Sequence, residues 1–488
     1  MYHSPSKRQQ LIKRIISYGF MTVAVVALVI ILVFVMLGYR FNQNDGRIEQ
    51  GGLVQFDSQP NGATITIDGQ TFGTKSPSKT TLTATNHTIA MSRSGYQTWQ
   101  KDIDLSAGAV LWLNYARLIP TQIKPESVNN FATVTSTAVS PDQKWMAVKE
   151  KPDTANIQLA DLSNDTVKMT QLDLPAESFT QPDAGKTQTF TLQDWDAGSR
   201  YIIVKHTYND DKTEWLVVDT RDMSSTKNVS RLLDVQASKL VFSGNDSHIL
   251  YAQIGTDVRK IDLGAATLSR PLVTNVDDFS IFDQTTIAYA TLLDNTTGSR
   301  TVGYYEDGKD NPVTLATYKD DGKAPLHLAL GRYFGDMYEA INYGDTVKIY
   351  TGNLPTATVT SQMKSLATVT MPGGAQYLSI RTEGRFVIMQ NGDMFKTYDL
   401  ELKKTTQTTL KGVSPVTKKL GWIDGYMPWS DRDGMLRFYE FDGTNQHDIM
   451  PIAEGFDVVL SPNSRYVYGI QKTADGAYHL ERARLILS

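Results

Sequence analysis

The chain has 488 residues, a formal net charge of −4 and no cysteine. Its length allows two or three domains, and its charge offers no basic field to hold nucleic acid. Without cysteine there are no disulfide frameworks, thiolate zinc sites, haem attachment or cysteine nucleophiles, and so large an exported chain without disulfides leans toward a bacterial or archaeal envelope.

Residues 15–37 are apolar and uncharged, about as long as the roughly 20 residues that cross a bilayer core. Backbone groups in lipid must be satisfied within the segment, so a helix is predicted over 15–38 despite its many valines and isoleucines. Lys7, Arg8, Lys13 and Arg14 precede the run with no acid among them. The positive-inside rule then keeps the basic tail 1–14 in the cytoplasm and places the bulk of the chain outside. The expectation is a single pass through the cytoplasmic membrane, with the lipid bilayer as the first partner. Tyr18, Phe20 and Tyr39 fit an interfacial aromatic belt. A signal peptide would have a shorter apolar core and a small-residue cleavage site. Here the run ends Val35-Met36-Leu37-Gly38-Tyr39-Arg40 with no such site, so the anchor is expected to stay uncleaved. A polar spacer, 39–50, follows.

Strand signals begin at residue 51. Leu53-Val54-Gln55-Phe56 leads to a turn at Gln59-Pro60-Asn61-Gly62, and Ala63-Thr64-Ile65-Thr66-Ile67 alternates up to Asp68-Gly69, a hairpin pair. Both Gly62 and Gly69 are expected in turn conformations that a Cβ would strain. Later come His87-Thr88-Ile89-Ala90-Met91, the pair Tyr96 and Trp99, and a last strand from Ala109 to Leu118. This stretch resembles a PEGA domain. The matching elements are Pro60-Asn61-Gly62-Ala63, Ile67-Asp68-Gly69, Gly73-Thr74 with Pro77, and Gly95-Tyr96 with Trp99. Asn61 stands where the family has Glu, and Lys75-Ser76 are extra; both departures are read as tolerated turn changes. The resemblance implies a small β-sandwich-like module over 51–119, found on envelope proteins and without a known catalytic role. Tyr96 and Trp99 are read as core.

Residues 120–130 form a linker with Pro120 and Pro125. From 131 to 488 a unit repeats. Val139-Ser140-Pro141-Asp142-Gln143-Lys144-Trp145 matches Leu460-Ser461-Pro462-Asn463-Ser464-Arg465-Tyr466, and weaker copies are Trp195–Val204, Phe242–Tyr251, Ile281–Tyr289 and Ile380–Ile388. Further copies begin near Leu328 and Trp422. A second alternating run follows each turn and often ends in an acid, as at Asp161, Asp219, Asp262, Asp399 and Glu440. Four short strands per unit are the signature of a β-propeller blade. About eight blades are predicted, with seven as the alternative because the fifth is poorly marked. The turns and following strands resemble TolB-like and WD-type propellers, a likeness of architecture rather than activity. The last unit has only three strands of its own before Ser488, so residues within 121–135 are expected to supply its outer strand. The predicted fold class is therefore all-β: a PEGA-like module and a propeller behind one transmembrane helix.

Chemistry is sparse. There is no G-x-S-x-G elbow, H-E-x-x-H, Walker A or G-x-G-x-x-G. His3, His87, His206, His248, His327, His447 and His479 are scattered and read as surface or satisfied core residues. Ser430-Asp431-Arg432-Asp433-Gly434 lacks the spacing of a sialidase Asp-box and the ligand count of a calcium loop, so it is read as a hairpin turn. Asp210-Asp211, Asp277-Asp278 and Asp320-Asp321 are read as solvated acids in polar turns, and as glycosidase carboxylates only if the ring gathers them at one mouth. Exposed Tyr426 and Trp429, with Met427 and Pro428, form a binding rim or pack between blades. No catalytic, cofactor-binding or metal residue is assigned, no cofactor is expected, and the binding residues are left unknown. The expected function is a non-enzymatic, membrane-anchored binding or scaffold protein of the cell envelope. Its propeller would hold a protein or cell-wall polymer. The alternative is an extracytoplasmic hydrolase or lyase acting on glycan at the propeller mouth. Two facing carboxylates in a concave pocket would favour the enzyme.

Overall fold

The computed structural model describes residues 7–36, 39–42, 47–356, 362–381, 384–414 and 418–487. His3 and the rest of tail residues 1–6, positions 37–38 of the expected span, spacer residues 43–46, and Thr382 and Glu383 in the sixth repeat lie outside them. The chain divides into two compact units, Met1–Gln122 and Ile123–Ser488.

In the first unit a helix runs Lys7–Met36. It starts within the basic tail, because Lys, Arg, Gln and Leu are good helix formers and nothing there breaks the turn. Its stretch Leu11–Phe34 is long and apolar enough to cross a membrane, and none of it is buried against protein. The spacer holds a short hairpin in which Tyr39–Asn42 pairs with Arg47–Gln50.

The module that follows is two sheets packed face to face. One sheet puts Gly52–Gln59 between Ser78–Leu82 and Val110–Arg117, and the other orders Gln70–Lys75, Thr64–Ile67, Asn86–Ser92 and Trp99–Asp104. Strand alternation sends Val54, Phe56, Ile65, Ile89, Leu111 and Leu113 into one core with Trp99 and Tyr96. Asp68 and Gly69 have φ of 49° and 80° and Gly62 has 83°, the left-handed turn geometry that favours glycine. The extra Lys75-Ser76 is not a passive insertion. Lys75 ends a strand, and buried Ser76 receives the Ala63 N–H at 2.9 Å and meets Ser58 Oγ at 2.6 Å. A buried hydroxyl so placed pins the turn between the sheets.

In the second unit the described strands form eight four-stranded antiparallel sheets. Seven are contiguous in sequence: blades 1–7 span 136–173, 188–228, 239–268, 276–319, 326–370, 377–409 and 421–451. Blade 8 takes three strands from 459–484 and its outermost from Glu126–Phe131, which pairs antiparallel with Tyr478–Arg484. The expected closure is present, and the eight-blade count replaces the alternative of seven.

A lone four-stranded sheet cannot bury both faces, and each core here is shared between neighbours. Ile157 and Ala147 of blade 1 pack with Phe190 and Val204 of blade 2. The remaining cores continue around the ring. Met146 and Val148 of blade 1 meet Tyr468 and Leu480 of blade 8, with Phe131 of the closing strand among them.

Candidate functional site

Each blade begins with an inner strand bonded to one neighbour only, so eight strand edges face the propeller axis. The turn that follows is built from the repeat motif. Ser140 Oγ donates to Asp142 Oδ1 at 2.6 Å and accepts the Trp145 N–H at 3.0 Å. Ser461 repeats this with Asn463 at 2.7 Å and Tyr466 at 3.0 Å. The acid ending the third strand takes the next turn's N–H groups: Asp399 accepts from Glu401 N at 2.9 Å and Leu402 N at 3.1 Å. In blades 2 and 6 the basic motif residue reaches that acid, Arg200 to Asp219 at 2.5 Å and Arg385 to Asp399 at 2.7 Å. These groups are structural: every donor and acceptor named is spent holding a turn.

The axial cavity is different. Three adjoining spaces of ≈310, ≈480 and ≈340 Å³ share Tyr377 and Lys419, then Pro141 and Trp422. Inner strands from all eight blades reach these spaces, either lining them or in the segment just before the strand. Lys239 is bonded to Asp278 at 2.8 Å and to the Phe279 carbonyl at 2.6 Å. Asp457 is tied to blade 1, its Oδ2 accepting from Thr137 Oγ1 at 3.0 Å and its N–H donating back at 2.8 Å. Arg381 lies over the Trp422 ring, 5.1 Å from its centre. Among the described residues Lys419 has no hydrogen-bond or ion-pair partner, and its side chain is exposed to the cavity.

The cavity disfavours charge on these groups. Enclosure by the walls raises the Asp194 carboxyl, and Asp457 raises it further. Asp457 is raised by burial, against its Thr137 bond and Lys418. Lys419 is lowered by enclosure, then by Arg381 and Lys239, against Asp278 and Asp194. Burial lowers His327. Asp194 and Lys419 touch water, but water confined within the ring solvates them less well than bulk. The site therefore places two acids and an unpaired amine, each pushed toward neutrality, beside the aromatic faces of Tyr377 and Trp422.

The sequence candidates divide. Asp277-Asp278 lies in the inner strand Val276–Phe282, not in a turn; Asp278 lines the cavity, while Asp277 pairs with Arg300 at 3.1 Å. Asp210 and Asp321 sit in outer loops beside Lys186 and Lys323, at 2.6 and 3.1 Å. Trp429 and Met427 are buried, and Tyr426 packs against Phe386 and Phe441, so the expected rim is packing between blades. Asp431 accepts from Lys418 and Gly455 N, and Asp433 from Val413 N. His87 and His206 are buried against Asp68 and Glu214. Among the described residues no group of three or more His, Asp or Glu gathers to hold a metal ion.

Asp194, Asp457, Lys419 and Trp422 were not singled out by the sequence. One signal was available: Ser136, Lys239 and Asp457 each stand four residues before the serine of their blade's turn. That position opens the inner strand at the axis.

Residues 52–119 match the PEGA domain, and the four-stranded sheets form a β-propeller. No curated protein matches the chain. Similar solved structures include an oligogalacturonate lyase in complex with manganese, at 12% identity and a TM-score of 0.41 over 75% of this chain and 98% of that one. The tricorn protease aligns at 11% and 0.41, over 74% of this chain and 38% of its own. The Myceliophteria thermophila Cps50 (Swd1) β-propeller domain aligns at 10% and 0.38, over 68% and 100%. At these values the likeness concerns the fold alone.

Proposed function

We propose that this is a membrane-anchored, extracytoplasmic binding and scaffold protein of the bacterial cell envelope, whose propeller takes a protein or cell-wall polymer at its axial cavity. The observation that carries the reading is Lys419, an amine with no hydrogen-bond or ion-pair partner among the described residues, in a cavity that also holds acids and aromatic rings. A cavity lined this way presents polar groups to a ligand while the ring supplies rigidity. The PEGA domain, usually extracellular, and the apolar helix Leu11–Phe34 support an anchored location. The test uses the full chain in nanodiscs, measuring binding of solubilised cell-wall fragments and of envelope proteins. K419E should weaken binding of the cognate partner at least tenfold. Unchanged binding by both K419E and the D194N/D457N double variant would refute the cavity as the site.

A second reading has one observation behind it. Asp194 and Asp457 line one cavity, burial raises both, and the charge of Asp457 raises Asp194 further, so that Asp194 would be the protonated acid and Asp457 the ionised partner that chemistry on glycan needs. It predicts released sugar products from those fragments, abolished by D194N or D457N alone. Binding without turnover removes it.

A further inference from the structure

The last strand of the PEGA domain, Val110–Arg117, sends Leu111 and Leu113 into the core and alternates Val110, Trp112 and Asn114 outward. Val110 and Trp112 are 47% and 42% exposed, at positions where a solvated sheet face carries polar residues. Register places Val110 beside Leu53 and Trp112 beside Gln55, so Leu53, Val110 and Trp112 form one apolar patch. The strand is an edge, bonded only to Gly52–Gln59.

The patch lies at the end of the module nearest the helix. Tyr39 packs its ring on Phe34 of the last helical turns, with centres 5.1 Å apart. Tyr39 is the hairpin partner of Gln50, so the ten chain positions between them shrink to one strand spacing, about 5 Å. Gly51 then accepts the Gly108 N–H at 2.9 Å, two residues before Val110. The three-residue steps on either side of the hairpin keep Leu53 within about 30 Å of the helix end even if fully extended. So short a tether holds the module on the bilayer surface, apolar flank at the tethered end.

We infer that Leu53, Val110 and Trp112 form an interfacial patch that seats the PEGA domain in the headgroup–acyl boundary of the bilayer its own helix crosses. The inference rests on reading that helix as a bilayer anchor. Tryptophan is at home in this layer, its ring in the acyl boundary and its N–H in the headgroups. In phosphatidylcholine the contact is apolar rather than electrostatic: neither Lys79, across Gln55 from Trp112 on the same face, nor Asp104 meets net lipid charge there, so seating is insensitive to salt.

Because the chain has no cysteine, single probes are unambiguous. V110C, S94C and L28C are labelled with an environment-sensitive fluorophore in the full chain and reconstituted into phosphatidylcholine vesicles. Ser94 is the remote control: its turn lies by Ile119, at the end where the strand Gly52–Gln59 finishes. Quenchers are shallow brominated lipid and aqueous iodide. V110C should be quenched by lipid at least threefold more than S94C, unchanged in high salt, and W112S should return it toward iodide. V110C as open to iodide as S94C, with L28C quenched by deep brominated lipid, overturns the patch and leaves the anchor standing. L28C untouched by lipid overturns both. V110C shielded from iodide and lipid alike marks a protein contact on the strand edge and overturns the lipid assignment.

Discussion

Glu339 sits in the second strand of blade 5, 5% exposed, and burial pushes its carboxyl up to about 7. Between its ordinary value of 4.5 and about 7 the folded chain holds a proton that the unfolded chain releases. Stability therefore falls as pH rises through that window and stays lower above it. E339M should raise stability by about 2–3 kcal/mol at pH 8 and far less at pH 4.5, read by denaturant melts; equal gains at both would count against it. Glu214 has the opposite sign. Burial opposes its ionisation, but His206 and Asn228, with Thr180 N at 2.6 Å and Thr180 Oγ1 at 2.8 Å, outweigh that and hold it at about 2. Its contribution is complete above 4.5 and is lost as pH falls toward 2. E214Q should cost about 3 kcal/mol at pH 7 and progressively less as the melts are repeated in acid. Phe334 shows the same independence of residue type and place: 89% exposed, at φ 48° in the two-residue turn with Gly335, where Asn-Gly is the favoured pair. F334N should gain about 0.5–1 kcal/mol; a loss would show that the Phe334–Tyr333 ring contact matters more than the backbone. Neither glutamate was legible in the sequence, because burial of a single strand residue depends on a neighbouring blade that local pattern does not name; Phe334 was not legible because a large aromatic side chain does not announce a turn.

Strands and turns were far more legible. Ser140 and Ser461 announce their blades because a hydroxyl bonding two residues on and accepting from five on is a local device. Blade 5 was poorly marked for an equally local reason: its first two strands, Leu326–Tyr333 and Asp336–Tyr343, meet through Phe334-Gly335 alone, with no room for the motif. The closing strand was legible by counting, since a blade of three strands leaves an edge open. Phe131 tests what closure contributes. It is 3% exposed between blades 8 and 1, and F131A should cost about 3–5 kcal/mol. The loss should appear as one earlier transition of the whole ring; an unchanged melt of blades 2–7 with only the ends fraying would refute that coupling. The axial site escaped the sequence reading for the converse reason. Each inner strand contributes one or two groups to it, so no spacing along the chain records Asp194, Lys419 and Asp457 as neighbours.

For the whole molecule, the sign of the flanking charges carries the proposed topology. With Lys7, Arg8, Lys13 and Arg14 in the first turns of the helix and only Arg40 and Arg47 soon after it, protease added outside sealed right-side-out vesicles should remove the propeller and leave the helix protected. A propeller protected until the vesicles are opened would reverse the orientation. The ring itself has a consequence in time. Glu126 and Arg482, joined at 2.9 Å by their side chains, stand 356 positions apart. The outer strand of blade 8 is thus the earliest propeller segment to be synthesised and the last to find its partner. At ordinary elongation rates it waits about 20–70 s. Throughout that interval the nascent chain carries an unsatisfied strand at its leading end and an incomplete blade at its growing end. A second copy arrested at the same stage offers each of them the wrong mate. Intermolecular exchange of this one strand is the specific hazard of its biogenesis, and on the proposed topology the outer face of the membrane, where neighbouring chains emerge, is where linked dimers should first be found.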